Sequence, residues 1–195
     1  MGKSVELLGL AAFNIFIAII LSATFLTGAG SSVSALTETN VESFITEVAE
    51  VSGGKREDMD SYSITHFFMD HIAEDGVFKS EIAYAMPDMP SSTRTLEMDK
   101  LNFISHILEG MKSMTKHETA VKIEYIRITD NGKSAIVTTT NYERGVMPIA
   151  DSFGDAQMVP VTGTSYCEQQ VILNGKTIQM AGADCSTNID FANSY

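Results

Sequence analysis

Val121-Lys-Ile-Glu-Tyr-Ile-Arg-Ile-Thr129 runs into Asp130-Asn131-Gly132-Lys133 and returns as Ala135-Ile-Val-Thr-Thr-Thr-Asn-Tyr142. The pattern then repeats. Ser165-Tyr-Cys-Glu-Gln-Gln-Val-Ile-Leu173 meets Asn174-Gly175-Lys176, and Thr177-Ile-Gln-Met-Ala181 follows. β-Branched runs on either side of Asn-Gly predict hairpins, because Asn and Gly tolerate the positive φ of a tight turn. Two hairpins supply four antiparallel strands, and the rest of the chain must cover the sheet they form.

Register sharpens both hairpins. In the first, paired residue numbers sum to 263. Val121, Ile123 and Tyr125 then share a face with Thr138, Thr140 and Tyr142, while Ile126 and Ile128 share the other with Ala135 and Val137. The apolar side switches between Tyr125 and Ile126, which predicts a bulge or strong coiling there. In the second, a turn at Asn174-Gly175 pairs Leu173 with Lys176, a sum of 349. Cys167 and Cys185 sum to 352, so perfect register holds them apart. A bridge between them requires a distortion, best placed in Ala181-Gly182-Ala183-Asp184. Two buried thiols are the alternative.

The 195-residue chain is 44% hydrophobic and 19% charged, a globular composition. Its net charge of −12 argues against nucleic acid and against an anionic membrane surface, both of which need a basic face. Leu7 to Leu26 is almost wholly apolar and is followed by small residues ending in Val33-x-Ala35. This predicts a signal peptide over 1–35, cleaved after Ala35, and one α+β domain over 36–195 in the periplasm or secreted. The alternative is an uncleaved anchor that holds the domain on the outer side of the membrane, since a run of this length can span a bilayer. Two cysteines in an exported chain fit one disulfide, Cys167–Cys185.

Upstream of the hairpins, Thr37–Val51 reads as a helix capped by Thr37 or Thr39, with Val41, Phe44, Ile45 and Val48 as its stripe. Ser61–Ile72 reads as a second helix capped by Ser63 or Ser61. Ala73–Gly76 reads as a turn, Val77–Tyr84 as a strand, and Met86–Ser92 as a loop. Leu96–Met114 is the strongest helix, capped by Thr95, with Leu101, Ile104, Ile107, Leu108 and Met111 buried. Glu143–Gly163 reads as a long connection. Helices gathered before an antiparallel sheet make an α+β layout.

From Thr39 to Ile189 this order resembles the nuclear transport factor 2-like superfamily, in its SnoaL-like branch. The resemblance rests on Ile72-Ala-Glu-Asp-Gly-Val-Phe78 leading into a strand, on the long helix feeding Val121–Thr129, and on the two hairpins. It implies a cone, in which a strongly bent antiparallel sheet wraps the helices and an apolar cavity opens at the wide end. Family members use that cavity as isomerases, dehydratases, cyclases and epoxide hydrolases, or only to bind ligands or dimerise. The expected function is therefore binding of a small apolar molecule or a protein partner, with a homodimer across the sheet as one form. A cavity enzyme of the isomerase or dehydratase type is the first alternative, and a membrane-anchored component of an envelope complex, should Leu7–Leu26 stay uncleaved, the second.

For such an enzyme the candidate acid/base groups are His66 and Asp70, i and i+4 on the second helix, and the sheet tyrosines Tyr125 and Tyr142, expected on the inner face. Tyr84, Phe67, Tyr125 and Tyr142 are candidate ligand contacts. His71, Asp75 and His106 have plain structural readings: a helix face, a turn cap and a helix histidine. Met86-x-x-Met89 and Met111-x-x-Met114 before His117 raise copper binding, but gap-filling is the ordinary use of Met. His66 and His71 have the wrong spacing for a helical zinc pair. No metal or cofactor is expected.

Overall fold

The computed structural model describes residues 33–85, 91–129, 131–150 and 156–191. The leader run Leu7–Leu26, the loop methionines Met86 and Met89, and residues 192–195 lie outside them. Three helices precede or interrupt six strands. They are α1 (Glu38–Ser52), α2 (Ser61–His71), β1 (Ile72–Ala85), β2 (Ser92–Met98), α3 (Lys100–Ser113), β3 (Thr115–Ile128), β4 (Ser134–Ala150), β5 (Ala156–Asn174) and β6 (Thr177–Phe191). The strands form one curved sheet in the order β2-β1-β6-β5-β4-β3. β1 and β6 run parallel, so the sheet is mixed rather than wholly antiparallel.

Each helix starts where a side-chain oxygen accepts an orphan amide. Thr37 caps α1, and Asn40 rather than a glutamate completes its capping box. α2 is capped by Asp60, whose carboxylate accepts the Ser63 N–H at 2.8 Å, not by Ser61 or Ser63. α3 is capped by Asp99, accepting the Asn102 N–H at 2.9 Å, not by Thr95. The residues before it, Ser92–Met98, form an edge strand against β1 instead of a first helical turn. Asp caps better than a Thr whose neighbours can pair in a sheet, and β1 offers the open edge. α3 buries Phe103, Ile104 and Ile107, while Leu101, expected inside, is 65% exposed.

The expected turn Ala73–Gly76 lies inside β1, where pairing with β6 breaks between Ile72 and Val77. The expected connection Glu143–Gly163 is largely strand: β4 and β5 pair out to Ala150 and Ala156. Its two prolines do not forbid this. Pro148 lies beyond the last β3 partner of β4, and Pro160 beyond the last β6 partner of β5, so neither owes a bond on that side.

Both hairpins are present, and each carries a one-residue bulge. In the first, Gly132 takes φ +62° at the turn. Partners sum to 263 from Ile128–Ala135 to Tyr125–Thr138, then to 262 from Ile123–Thr139 onward. Glu124 is the extra residue. It keeps Ile123 on the same face as Ile126 and Ile128, and all three pack on the core. In the second, Gly175 (φ +63°) and Lys176 form the turn, one residue later than expected, so Asn174 pairs with Thr177 and partners sum to 351. A bulge at Ala181 adds one more and sets Cys167 opposite Cys185. Their Cα atoms are 4.2 Å apart and the sulfurs are bonded.

Gly182 follows that bulge, where β1 rejoins β6. A Cβ there would lie 2.8 Å from the Val77 carbonyl oxygen, a backbone atom that cannot rotate away. Gly182→Ala is expected to cost about 1–3 kcal/mol, read as a lower urea midpoint; an unchanged midpoint would show that β1 shifts freely.

The main core joins the three helices to one end of the sheet through Phe44, Ile45, Phe68, Phe78, Phe103, Val137, Val171 and Met180. A second apolar cluster occupies the other end: Ile82, Met147, Val159, Val161, Ile189 and Phe191. Val33 packs against the main core, and the Leu36 N–H donates to the Gly132 carbonyl at 2.8 Å. Asn40 Nδ2 donates to the Ala35 carbonyl at 3.1 Å, and Lys133 Nζ to the Ser34 carbonyl at 3.3 Å.

Candidate functional site

Strand alternation sends β4 residues 135, 137, 139, 141 and 143 to one face. The first two are Ala135 and Val137, which belong to the main core. The next three are Thr139, Asn141 and Glu143, all buried. Their neighbours on the same face continue the change. Ser165, Gln169 and Thr187 are buried on β5 and β6, and Thr119 on β3. A polar belt therefore crosses the inner face between the two apolar clusters.

Some of the belt is internally satisfied. The Ser165 and Thr187 hydroxyls are 2.8 Å apart, and Gln169 Nε2 donates to Thr139 Oγ1 at 3.0 Å. Asn141 Nδ2 reaches Cys167 Sγ at 3.5 Å. Four side-chain atoms have no partner: Thr119 Oγ1, Asn141 Oδ1, Glu143 Oε2 and Gln169 Oε1. Each buried orphan costs about 1–3 kcal/mol, and native interiors hold few of them.

The belt also holds a titratable pair. Lys116 takes φ 51°, and pairing of β3 with β4 shifts register between Thr115 and Glu118. Beyond that irregularity His117, Thr119 and Val121 fall on the inner face. His117 Nε2 hydrogen-bonds Glu143 Oε1. Burial pushes the Glu143 carboxyl above its ordinary range, and the histidine pulls it partly back. At the β3 edge Lys55 Nζ donates to the Thr119 carbonyl at 3.0 Å. Burial lowers the Lys55 pKa, against the pull of Glu50 and Glu118.

The residues expected to carry chemistry do not converge. His66 and Asp70 are exposed on α2, and His66 lies edge-on to the exposed Tyr62. An acid/base pair in a closed pocket cannot be built from them. Tyr125 and Tyr142, expected inside, are 59% and 51% exposed on the outer face: Ala135 and Val137 point inward, so Thr138 with its partner Tyr125, and Tyr142, point outward, and the Glu124 bulge lets Ile123 and Val121 turn inward without them. Phe67 is half-buried against the core and stacks on His71, whose Nδ1 lies 2.8 Å from the Phe67 carbonyl and so carries a proton. Tyr84 packs with the second apolar cluster on the inner face. Asp75 is exposed and His106 half-buried. Met111, Met114 and His117 go separately to the main core, the second cluster and Glu143. Among the described residues no group of three or more His, Cys, Asp or Glu could hold a metal.

On the outer face a groove of about 390 Å³ is lined by Glu118, Ala120, Tyr142, Arg144, Thr162 and Thr164. Its lining also includes Thr119, Glu143 and Gly163, whose positions alternate to the inner face.

Three helices, a curved sheet and a bulged pair of C-terminal hairpins make the cone-like α+β arrangement that the element order implied, with β1 parallel to β6 as the departure from it. No family model matches the chain, and no curated protein does. Solved structures similar to this cone include a conserved protein from Planctomyces limnophilus, at 15% identity and TM-score 0.47 over 77% of this chain and 98% of that one. A nuclear transport factor 2-like superfamily protein from Salmonella enterica is 12% identical at TM-score 0.44, over 82% and 96%. A hexachlorocyclohexane dehydrochlorinase is 6% identical at TM-score 0.48, over 80% and 92%.

Proposed function

We propose that this is an exported domain, periplasmic or secreted, that holds a small and largely apolar molecule against the inner face of its cone. The observation behind the reading is the belt: four buried polar atoms without partners, gathered between two apolar clusters. A ligand with apolar ends and a polar middle would match that order. The disulfide fits the oxidising compartment. Among the described residues no helix is long and apolar enough to cross a membrane.

Native mass spectrometry of protein recovered from its own exported compartment tests the reading. A bound mass in the wild type, reduced in Asn141→Leu, is the expected result. A wild type without bound mass, together with an Asn141→Leu variant that is simply more stable, would mean that the belt is an uncompensated structural cost and not a site.

The buried His117–Glu143 pair favours one second reading, a cavity enzyme of the isomerase or dehydratase type. A shared proton in an enclosed site is what general acid/base work needs. In that case His117→Ala abolishes turnover of the bound molecule; if the domain only binds, the molecule is recovered unchanged from both proteins.

A further inference from the structure

The unpartnered atoms of the belt are not a random mixture of donors and acceptors. Asn141 directs its Nδ2 toward Cys167 Sγ, and a disulfide sulfur carries no hydrogen, so it can only accept. That fixes the amide orientation and leaves Oδ1 as a bare acceptor. Glu143 Oε1 faces His117 Nε2 across one hydrogen bond. With the Glu143 carboxyl ionised, Oε2 is left as an acceptor. Thr119, directly opposite Glu143 in the ladder, adds a hydroxyl that serves either way. Asn141 and Glu143 are two residues apart on one face of β4, about 6.8 Å along the strand. The three side chains are 8%, 1% and 5% exposed, so solvent does not satisfy them.

Resting on the binding reading above, we infer that the ligand is a cationic amine whose N–H donors sit at Asn141, Glu143 and Thr119 and whose apolar arms lie toward the two clusters. An ammonium carries only donors, which is what Asn141 Oδ1 and an ionised Glu143 Oε2 lack. Hydrogen bonds to a charged group are worth more than neutral ones. The chain's net charge of −12 draws a cation toward the domain and disfavours an anion. An anion would place its oxygens against Oδ1 and Oε2, and a neutral ether would leave both unpaired. Entry falls to β3, the edge strand of the sheet, whose pairing with β4 breaks twice, between Thr115 and Glu118 and at Glu124.

The test compares three molecules of one shape on the full-length protein by isothermal titration calorimetry. They are di-n-butylamine, its donor-free isostere di-n-butyl ether, and the anion 2-butylhexanoate. The amine is expected to bind about tenfold or more tightly than the ether, and Asn141→Leu is expected to remove most of that preference. Ether or carboxylate binding as tightly as the amine overturns the inference while leaving the site a binding site. If none of the three binds and the native protein carries some other mass, the amine assignment again falls alone. If none binds and no mass is found, the binding reading falls with it. The wild-type comparison needs no variant, so a poorly folding Asn141→Leu does not remove the test.

Discussion

Reducing the Cys167–Cys185 bridge lowers the unfolding free energy by about 3 kcal/mol. The two cysteines are 18 residues apart in sequence and close a loop through the second hairpin. Opening it returns that loop's freedom to the unfolded chain. The bridge also sits on the inner face, with both residues nearly inaccessible, at the border between the main core and the polar belt. Loss of the bridge therefore frees β6 from β5 beside the atom that anchors Asn141. Urea unfolding of the oxidised and reduced proteins reads the difference directly. Cys167→Ala with Cys185→Ala should match the reduced protein. Coincident midpoints for oxidised and reduced forms would show that the register of the hairpin is held by the sheet alone. Because the sulfurs are shielded, reduction without denaturant should be slow.

Replacing Glu143 with glutamine stabilises the domain at neutral pH and has no such effect in acid. The sign follows from burial. The folded state holds the Glu143 carboxyl above its ordinary pKa of 4.5, so it retains a proton that the unfolded chain has released. That contribution is fully present below about 4.5 and is lost as pH rises through the folded value. Glutamine keeps the shape and an oxygen but has no proton to lose. The gain at pH 8 is on the order of 1–2 kcal/mol, shrinking toward pH 4.5. His117→Ala acts oppositely at pH 8, costing about 3 kcal/mol, since it strands a buried carboxylate. Parallel urea titrations of the wild type and Glu143→Gln between pH 4.5 and 8 decide the matter. Identical pH dependence would mean that His117 neutralises Glu143 completely.

The hairpins were legible because Asn-Gly constrains backbone conformation locally, and the need for a distortion near Gly182 was legible because residue parity is integer arithmetic. Bulges broke the rest. A single extra residue, Glu124, uncoupled Ile123 and Val121, which turn inward, from Tyr125 and Tyr142, which point outward, and nothing in the side chains marks which residue a strand will skip. β2 was missed because Ser92–Met98 is mostly exposed and lacks an apolar alternation; only the open edge of β1 makes it a strand. The belt was hidden for a related reason. Thr139, Asn141 and Glu143 look like the solvent face of an amphipathic strand. Their alternation with Ala135 and Val137 held the clue, since inward parity once set must persist along β4.

Val33, Ser34 and Ala35 are the residues that a signal peptidase would read, and they are also the residues that clasp the first hairpin turn and the start of α1. They cannot serve both ends. Were the chain cut after Ala35, as a signal peptide would be, Lys133 and Asn40 would lose the Ser34 and Ala35 carbonyls, while the bond from the Leu36 N–H to the Gly132 carbonyl would stay with the mature domain. The clasp is thus the part of the domain whose presence such a cut would decide.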